Sequence, residues 1–168
     1  MRSVIACICL VTLLSLPLHS QEHRLLKIAL GFEGVTEVGD NRGYWIDKWN
    51  RNAKAPLGSS YCASFVTYVL DSVQAYEPTV RSALAQNFIT KKSIPASKVV
   101  VGYTIPEGSI VVWKRGNTIY GHVGFTTKPW KGATGNTIEA NTSSGLRGSQ
   151  YNGDGVYQRV RTISPDDF

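Results

Sequence analysis

The sequence predicts an α+β fold in which helices come first and an antiparallel sheet follows. Apolar residues recur at helical spacing in the first half of the chain, whereas the second half holds short β-rich runs separated by turns. Because the strands follow one another rather than alternating with helices, we expect them to pair as an antiparallel sheet packed against a helix. At 168 residues the chain is long enough for one domain with a full hydrophobic core.

The first twenty residues have the pattern of a secretory signal peptide. Arg2 precedes an apolar run over residues 4–16, and a small residue follows where cleavage is expected. The run is short for a transmembrane span. We therefore expect residues 1–20 to be removed, and residues 21–168 to form one secreted or periplasmic domain without stable membrane insertion. A lipoprotein anchored through Cys7 and an uncleaved anchor are less favoured alternatives.

Three helices are predicted ahead of the strands. The first covers residues 22–34 and the second covers residues 44–49. The third begins at Cys62, because apolar residues follow it at helical spacing, and Ser60 is a candidate for its N-cap. Residues 79–90 are a weaker helix candidate.

Strands are predicted from the β-rich runs of the second half. Residues 93–104 are expected to form a loop followed by a short strand. The strands predicted for the sheet are residues 109–113, 117–127, 134–141 and 155–162.

Removal of the signal peptide would leave Cys62 as the only cysteine, and His122 as the only histidine in the body of the domain. A lone thiol in an exported chain is buried and inert, paired between molecules, or reactive. Cys62 lies at a predicted helix N-terminus, where partial positive charge favours the thiolate. These two residues lack the ligands for a metal site, whereas a Cys–His catalytic pair needs only them. We expect no metal and no cofactor.

Strand alternation gives the histidine two candidate partners. Glu139 and Asn141 share one face of the third strand, and a hairpin would place either beside His122 to fix its tautomer. Gly124 next to the histidine indicates a bulge or a close approach of the helix or a substrate. Taken singly, His122 is more often a structural histidine and Cys62 a small buried hydrophobe. Their occurrence together favours a catalytic site.

The net charge of +6 and the pI near 9.3 favour contact with anionic surfaces such as wall polymers, lipid headgroups or nucleic acid. The basic residues are scattered along the sequence, and no nucleic-acid motif accompanies them. We therefore expect no nucleic-acid partner and treat the charge as a weak indication of an anionic environment.

Three ordered segments carry a resemblance to a known family. They are Tyr61-Cys62-Ala63-Ser64-Phe65-Val66, Gly121-His122-Val123-Gly124-Phe125 and Thr137-Ile138-Glu139-Ala140-Asn141-Thr142-Ser143. They resemble the signature segments of CHAP domains, the cysteine, histidine-dependent amidohydrolase/peptidases of the papain-like NlpC/P60 clan. The resemblance implies a papain-like form of the α+β fold, with Cys62 as nucleophile, His122 as base, Glu139 as orienting acid and Asn141 in support.

The resemblance also implies a peptidoglycan hydrolase that cleaves amide bonds of the wall peptide through a thioester. Either the N-acetylmuramoyl–L-alanine bond or a bond within the stem or cross-bridge would be the substrate. The oxyanion hole would use the backbone N–H of Cys62, with Ser60 or Tyr61 as candidates for the second donor. We expect a monomer, with an inhibitor or immunity protein as a further partner. The alternatives are an amidohydrolase of small peptides or polyamine conjugates, and a catalytically silent wall- or partner-binding domain.

Overall fold

The structure, a computed structural model, describes residues 18–75, 80–145 and 153–164. Its helices are α1 (Leu18–Leu30), α2 (Tyr44–Asn52), α3 (Cys62–Ser72) and α4 (Ala96–Val100), with a 3₁₀ turn at Ala85–Phe88. Its strands are β1 (Ile110–Lys114), β2 (Gly121–Thr126), β3 (Thr134–Thr142) and β4 (Gly155–Thr162). The predicted α+β class, with the Cys62 helix packed on an antiparallel sheet, is confirmed.

The four strands form one antiparallel sheet in the order β1-β2-β3-β4, so each strand pairs with its neighbour in sequence. Residues directly opposite one another share a face. One face, which we call the core face, carries Val112, Val123 and Val156 and packs into the main apolar cluster. The other, which we call the charged face, carries the following residues: His122, Glu139, Arg159 and Arg161.

Helix α3 covers the core face with an apolar stripe. Phe65, Val66, Val69 and Leu70 are all buried in the main cluster. Burying each such side chain contributes on the order of 1.5–3 kcal/mol. This packing holds α3, and with it Cys62, in a fixed position relative to the sheet.

The start of α3 differs from the prediction that Ser60 caps it. Tyr61 occupies the N-cap position without a side-chain cap, and its carbonyl accepts the first helical hydrogen bond from the Phe65 N–H at 2.9 Å. Ser60 is exposed one residue earlier. The N-cap prediction is therefore wrong, because burial of the Tyr61 ring takes precedence over side-chain capping.

Two local predictions between α3 and β1 are also wrong. Within residues 79–90 the helical part that the structure describes is a single 3₁₀ turn, and the expected strand within residues 93–104 is instead the short helix α4. Val99 of α4 packs in a second apolar cluster with Val111 and Trp130. Tertiary packing therefore outweighs the β-propensity of the valine run.

The predicted signal peptide falls largely on residues 1–17, outside the described residues, and stays a prediction. Among the residues that the structure describes, no helix combines the length and apolarity needed to cross a membrane.

Candidate active site

The N-terminus of α3 meets the start of β2, which brings the two sequence-predicted residues together. The Cys62 thiol lies close enough to the His122 side chain, and to the backbone N–H groups of Ala63 and Val123, for each of them to lower its pKa. Both residues are nearly inaccessible, with Cys62 6% exposed and His122 2% exposed. The pair therefore sits in a low-dielectric environment where each polar contact carries more weight than in water.

The environment favours the charged forms of this pair. Burial raises the pKa of Cys62, but its hydrogen bond to His122, the charge of that ring and the two backbone N–H groups more than reverse this, so the pKa lies below its ordinary value. Burial lowers the pKa of His122, but Cys62 and Glu139 raise it to about 9. The arrangement therefore favours a thiolate–imidazolium pair, and the thiolate is the nucleophilic form of a cysteine.

Glu139 orients the imidazole from the other side. His122 Nε2 lies 2.9 Å from Glu139 Oε2, and this carboxylate is completely buried. Because Nε2 faces Glu139, Nδ1 is the ring nitrogen left for Cys62. Of the two predicted partners, the structure thus brings Glu139 to the histidine, in the manner of the third member of a catalytic triad.

Arg161 and Thr137 hold Glu139 in turn. Arg161 donates from Nε to Oε1 at 2.9 Å and from Nη2 to Oε2 at 2.6 Å, and the Thr137 hydroxyl donates to Oε1. Burial raises the pKa of Glu139, but Arg161 and His122 lower it to about 2. Glu139 is therefore a carboxylate at every pH at which the site could work.

The sequence analysis missed both Arg161 and Thr137. The sequence did hold an indication of Arg161, because Arg159 and Arg161 are two residues apart on a predicted strand and so lie on the same face of the sheet. Nothing in the sequence said that this face was buried, nor that Arg161, which pairs in register with Gly135, reaches Glu139.

Gly124 leaves the space that Glu139 occupies. A Cβ atom at Gly124 would lie 2.7 Å from Glu139 Cγ and 2.7 Å from the carbonyl oxygen of Ile138. The close approach at this glycine is thus made by the Glu139 side chain on the next strand, and not by the helix that was one of the expected partners. Any side chain at position 124 would push Glu139 away from His122.

The Asn141 side chain makes its described contacts with residues other than His122. Residue 141 sits at a bulge in β3, where the register to β4 shifts between Ala140 and Thr142, and its φ of 57° is left-handed. Its side-chain amide donates to Asn41 Oδ1 and to the carbonyl of Gly153, each at 3.2 Å. The contacts made by this amide are thus with loop residues rather than with His122, and the supporting role of Asn141 stays a prediction.

Tyr61 is also occupied elsewhere. Its ring is fully buried and its hydroxyl donates to Glu37 Oε1 at 3.0 Å. Burial first, and then the Glu37 charge, raise the pKa of Tyr61. Its hydroxyl therefore cannot serve as the second oxyanion donor, and the contact instead ties the loop before α2 to the start of α3. Glu37 also accepts from the N–H of Asn41, the partner of Asn141.

Trp113 and Arg159 lie on the charged face, next to His122 and Arg161 respectively. The ring of Trp113 lies 5.8 Å from that of His122, centroid to centroid, and shields the imidazole. Arg159 is buried beside Arg161, and its three guanidinium nitrogens have no hydrogen-bond partner in the described part of the chain. Burial and the Arg161 charge lower the pKa of Arg159.

Within residues 18–75, 80–145 and 153–164, no group of three or more His, Cys, Asp or Glu side chains is placed to hold a metal ion.

Comparison with known proteins gives one match. The family model described as CHAP domain matches residues 50–141, which is more than half of the chain and includes Cys62, His122 and Glu139. No curated protein and no solved structure matches the chain.

Proposed function

The chain belongs to the CHAP domain family, and on that premise we propose that it is an exported peptidoglycan hydrolase cleaving amide bonds of the wall peptide. Members of this family are typically cysteine/histidine amidohydrolases or peptidases. The observation that carries the proposal is the buried chain of contacts from Cys62 through His122 to Glu139. This chain supplies a nucleophile, a proton carrier and an orienting carboxylate.

In the first half of the reaction, the Cys62 thiolate attacks the carbonyl carbon of the scissile amide. The C=O electrons move onto the oxygen, which the backbone N–H of Cys62 at the N-terminus of α3 is placed to stabilise. His122, present as imidazolium, then gives its Nδ1 proton to the leaving nitrogen. The C–N bond breaks, the amine departs and a thioester on Cys62 remains.

In the second half, neutral His122 takes a proton from water, whose oxygen attacks the thioester carbon. The C–S bond breaks, the acid product leaves, and the thiolate–imidazolium pair is restored. Glu139 keeps the ring oriented throughout and stabilises the imidazolium, and Arg161 keeps Glu139 ionised. The amidase and the endopeptidase reactions use these same steps and differ only in which carbonyl is attacked.

The proposal extends to location and partners. The signal-like pattern of residues 1–20 supports export and access to the wall. We propose a monomer that acts on peptidoglycan without a cofactor. An inhibitor or immunity protein that covers Cys62 would be a suitable partner for such an enzyme.

The test is digestion of purified peptidoglycan by the wild type and by Cys62→Ala, with products identified by mass spectrometry. Release of stem peptides or split cross-links by the wild type alone supports the proposal, and the product masses name the bond. If neither protein releases products while Cys62 is still alkylated rapidly by iodoacetamide, the small-amide alternative replaces it. A slowly alkylated thiol would instead favour a catalytically silent binding domain.

A further inference from the structure

A second candidate site lies along the free edge of the sheet. A cavity of about 460 Å³ runs beside β1, which pairs with β2 on one side only in the described part of the chain. Its walls are mainly apolar and include Phe88, Ile110, Val112, Trp130 and Ile163. None of the triad residues lines it, so the cavity is separate from the catalytic centre.

The rim of this cavity exposes apolar side chains to solvent. Of the lining residues, Ile94 is 40% exposed and Tyr103 is 50% exposed. Val101 does not line the cavity but lies two residues before Tyr103 in sequence, and it is 83% exposed. Ile89, also on the rim, is partly exposed as well. Single exposed apolar residues are ordinary on protein surfaces. Several exposed apolar residues near one apolar cavity indicate an interaction surface.

Five lysines line this cavity or adjoin its lining residues in sequence. Lys114 lines the cavity, and each of the others is next in sequence to a lining residue: Lys91, Lys92, Lys98 and Lys131. All five are exposed, and none pairs with a carboxylate in the ranges that the structure describes. Basic residues from separate parts of the sequence are thus each a lining residue of one cavity or the sequence neighbour of one.

Acidic residues are nearly absent from this part of the chain. Between residues 80 and 145 the only acidic residues are Glu107 and Glu139, and Glu139 is buried against Arg161. Glu107, next to the lining residue Pro106, is the one acidic residue of this stretch that adjoins the cavity, so five lysines stand against one glutamate and leave a net positive charge for an anionic partner.

We propose that this lysine-rimmed cavity docks the protein on a membrane surface that contains anionic phospholipid. The rim residues Ile94 and Tyr103, together with the exposed Val101 just before Tyr103, enter the headgroup region, the cavity accepts acyl carbon, and the lysines contact lipid phosphates. A wall polymer or other polyanion would use the lysines but not the apolar rim. A peptide strand that paired with the free edge of β1 would contact the edge and the cavity, but it would not require the lysines.

The inference does not depend on peptidoglycan hydrolysis. If the proposed function also holds, docking would keep the hydrolase close to the membrane, and digestion of soluble wall fragments would not need it.

Sedimentation of the purified full chain with vesicles tests the proposal. Vesicles of phosphatidylglycerol mixed with phosphatidylcholine are expected to bind the protein, pure phosphatidylcholine vesicles are expected to bind it far more weakly, and added salt should release it. The triple variant Lys91→Gln, Lys92→Gln and Lys131→Gln is expected to bind about 100-fold more weakly, at roughly fivefold per lysine. A second variant, Ile94→Ser with Val101→Ser, should also lose binding, by about tenfold or more.

A control variant removes the same charge outside the cavity. Lys27→Gln, Arg51→Gln and Lys54→Gln change exposed residues of α1, of α2 and of the turn after α2, and should leave vesicle binding within about twofold of the wild type. Iodoacetamide alkylation of Cys62 should be the same in all variants, which checks that each is folded. Because the variants share the same residues 1–17, any binding through that segment is common to all of them.

Three results would overturn the proposal. The first is equal binding of the cavity triple and the wild type to phosphatidylglycerol vesicles. The second is equal binding of the wild type to neutral vesicles. The third is loss of binding in both lysine triples with no loss in the Ile94→Ser, Val101→Ser variant, which would identify a general polycation effect suited to a wall polymer.

Discussion

The core face and the charged face of the sheet use the same strands for different purposes. On the core face, Val123 and Ile138 are completely buried against α3, and apolar contact alone accounts for their positions. On the charged face, His122 and Glu139 are equally buried, but each is held by hydrogen bonds and ion pairs. Apolar packing tolerates small changes of shape, whereas a buried network of charges requires every member. Substitutions on the two faces should therefore have different consequences.

The largest expected effect is on activity and concerns His122. His122→Ala removes the proton carrier and the partner that lowers the pKa of Cys62, so kcat/KM should fall by about 10²–10⁴. Alkylation of Cys62 at pH 6 should slow as well. The core-face control is Ile138→Val, which should lower the free energy of unfolding by about 0.5–1.5 kcal/mol and leave the alkylation profile unchanged. Equal alkylation profiles for His122→Ala and the wild type would contradict the thiolate–imidazolium pair.

The next effect concerns Arg161 and stability. Arg161→Met leaves the buried Glu139 carboxylate without its main counter-charge, and the free energy of unfolding should fall by about 3–5 kcal/mol. Urea unfolding monitored by tryptophan fluorescence measures it. The loss should shrink as the pH falls toward the pKa of a free carboxyl, because a protonated Glu139 needs no counter-charge. A loss that is constant from pH 7 to pH 4 would mean that Arg161 acts through packing alone.

The pH dependence of the reaction gives a third prediction. His122 has a pKa raised to about 9, so its proton is available to the leaving amine below that pH and lost above it. We expect an alkaline limb near pH 9 in the profile of kcat/KM. Glu139→Gln removes a charge that raises this pKa, so the limb should move to lower pH. A limb that stays in place would show that it belongs to another group.

The same shift has a consequence for stability. Because the pKa of His122 is raised on folding, its contribution is fully present below the ordinary value of 6.5 and is lost as the pH rises through 9. The depressed pKa of Glu139 acts in the opposite sense, since its contribution is present above 4.5 and is lost as the pH falls toward 2. Both contributions are complete between pH 4.5 and pH 6.5, so the site stabilises the fold most in that range.

The smallest expected effect concerns Arg159, the neighbour of Arg161 on the same face. Its buried guanidinium has no hydrogen-bond partner among the described residues, so it gains little in return for its desolvation. Arg159→Met should leave the free energy of unfolding unchanged or raise it by about 1 kcal/mol. The thermal midpoint of this variant beside that of Arg161→Met measures the contrast directly. A loss of stability as large as that of Arg161→Met would show that Arg159 is compensated by a partner.

Much of the fold and half of the site can be predicted by local pattern. The helix over residues 44–49 and the strand over residues 155–162 lie where spacing and alternation indicate them. Cys62 and His122 could be singled out because each is the sole residue of its kind in the predicted mature body. Glu139 was one of two candidates, since alternation alone cannot distinguish it from Asn141.

The remaining features depend on contacts between distant parts of the chain. The choice of Glu139 over Asn141 was made by a bulge with a left-handed residue, which nothing in the local sequence indicates. Val99 is helical because a second apolar cluster buries it. The lysines around the β1 cavity come together only when the loops fold against that edge.

The amino-acid sequence specifies the order of elements, the burial of one side of α3, and the identity of a thiol and an imidazole able to react. These depend on periodicity and residue chemistry, which are local properties. The charge state of that thiol and imidazole depends on the folded structure. Glu139 comes from the neighbouring strand and Arg161 from the strand beyond it. The pKa of a buried group depends on its burial and on the distances to the charges and hydrogen-bonding groups around it. Those distances are set only when the chain folds.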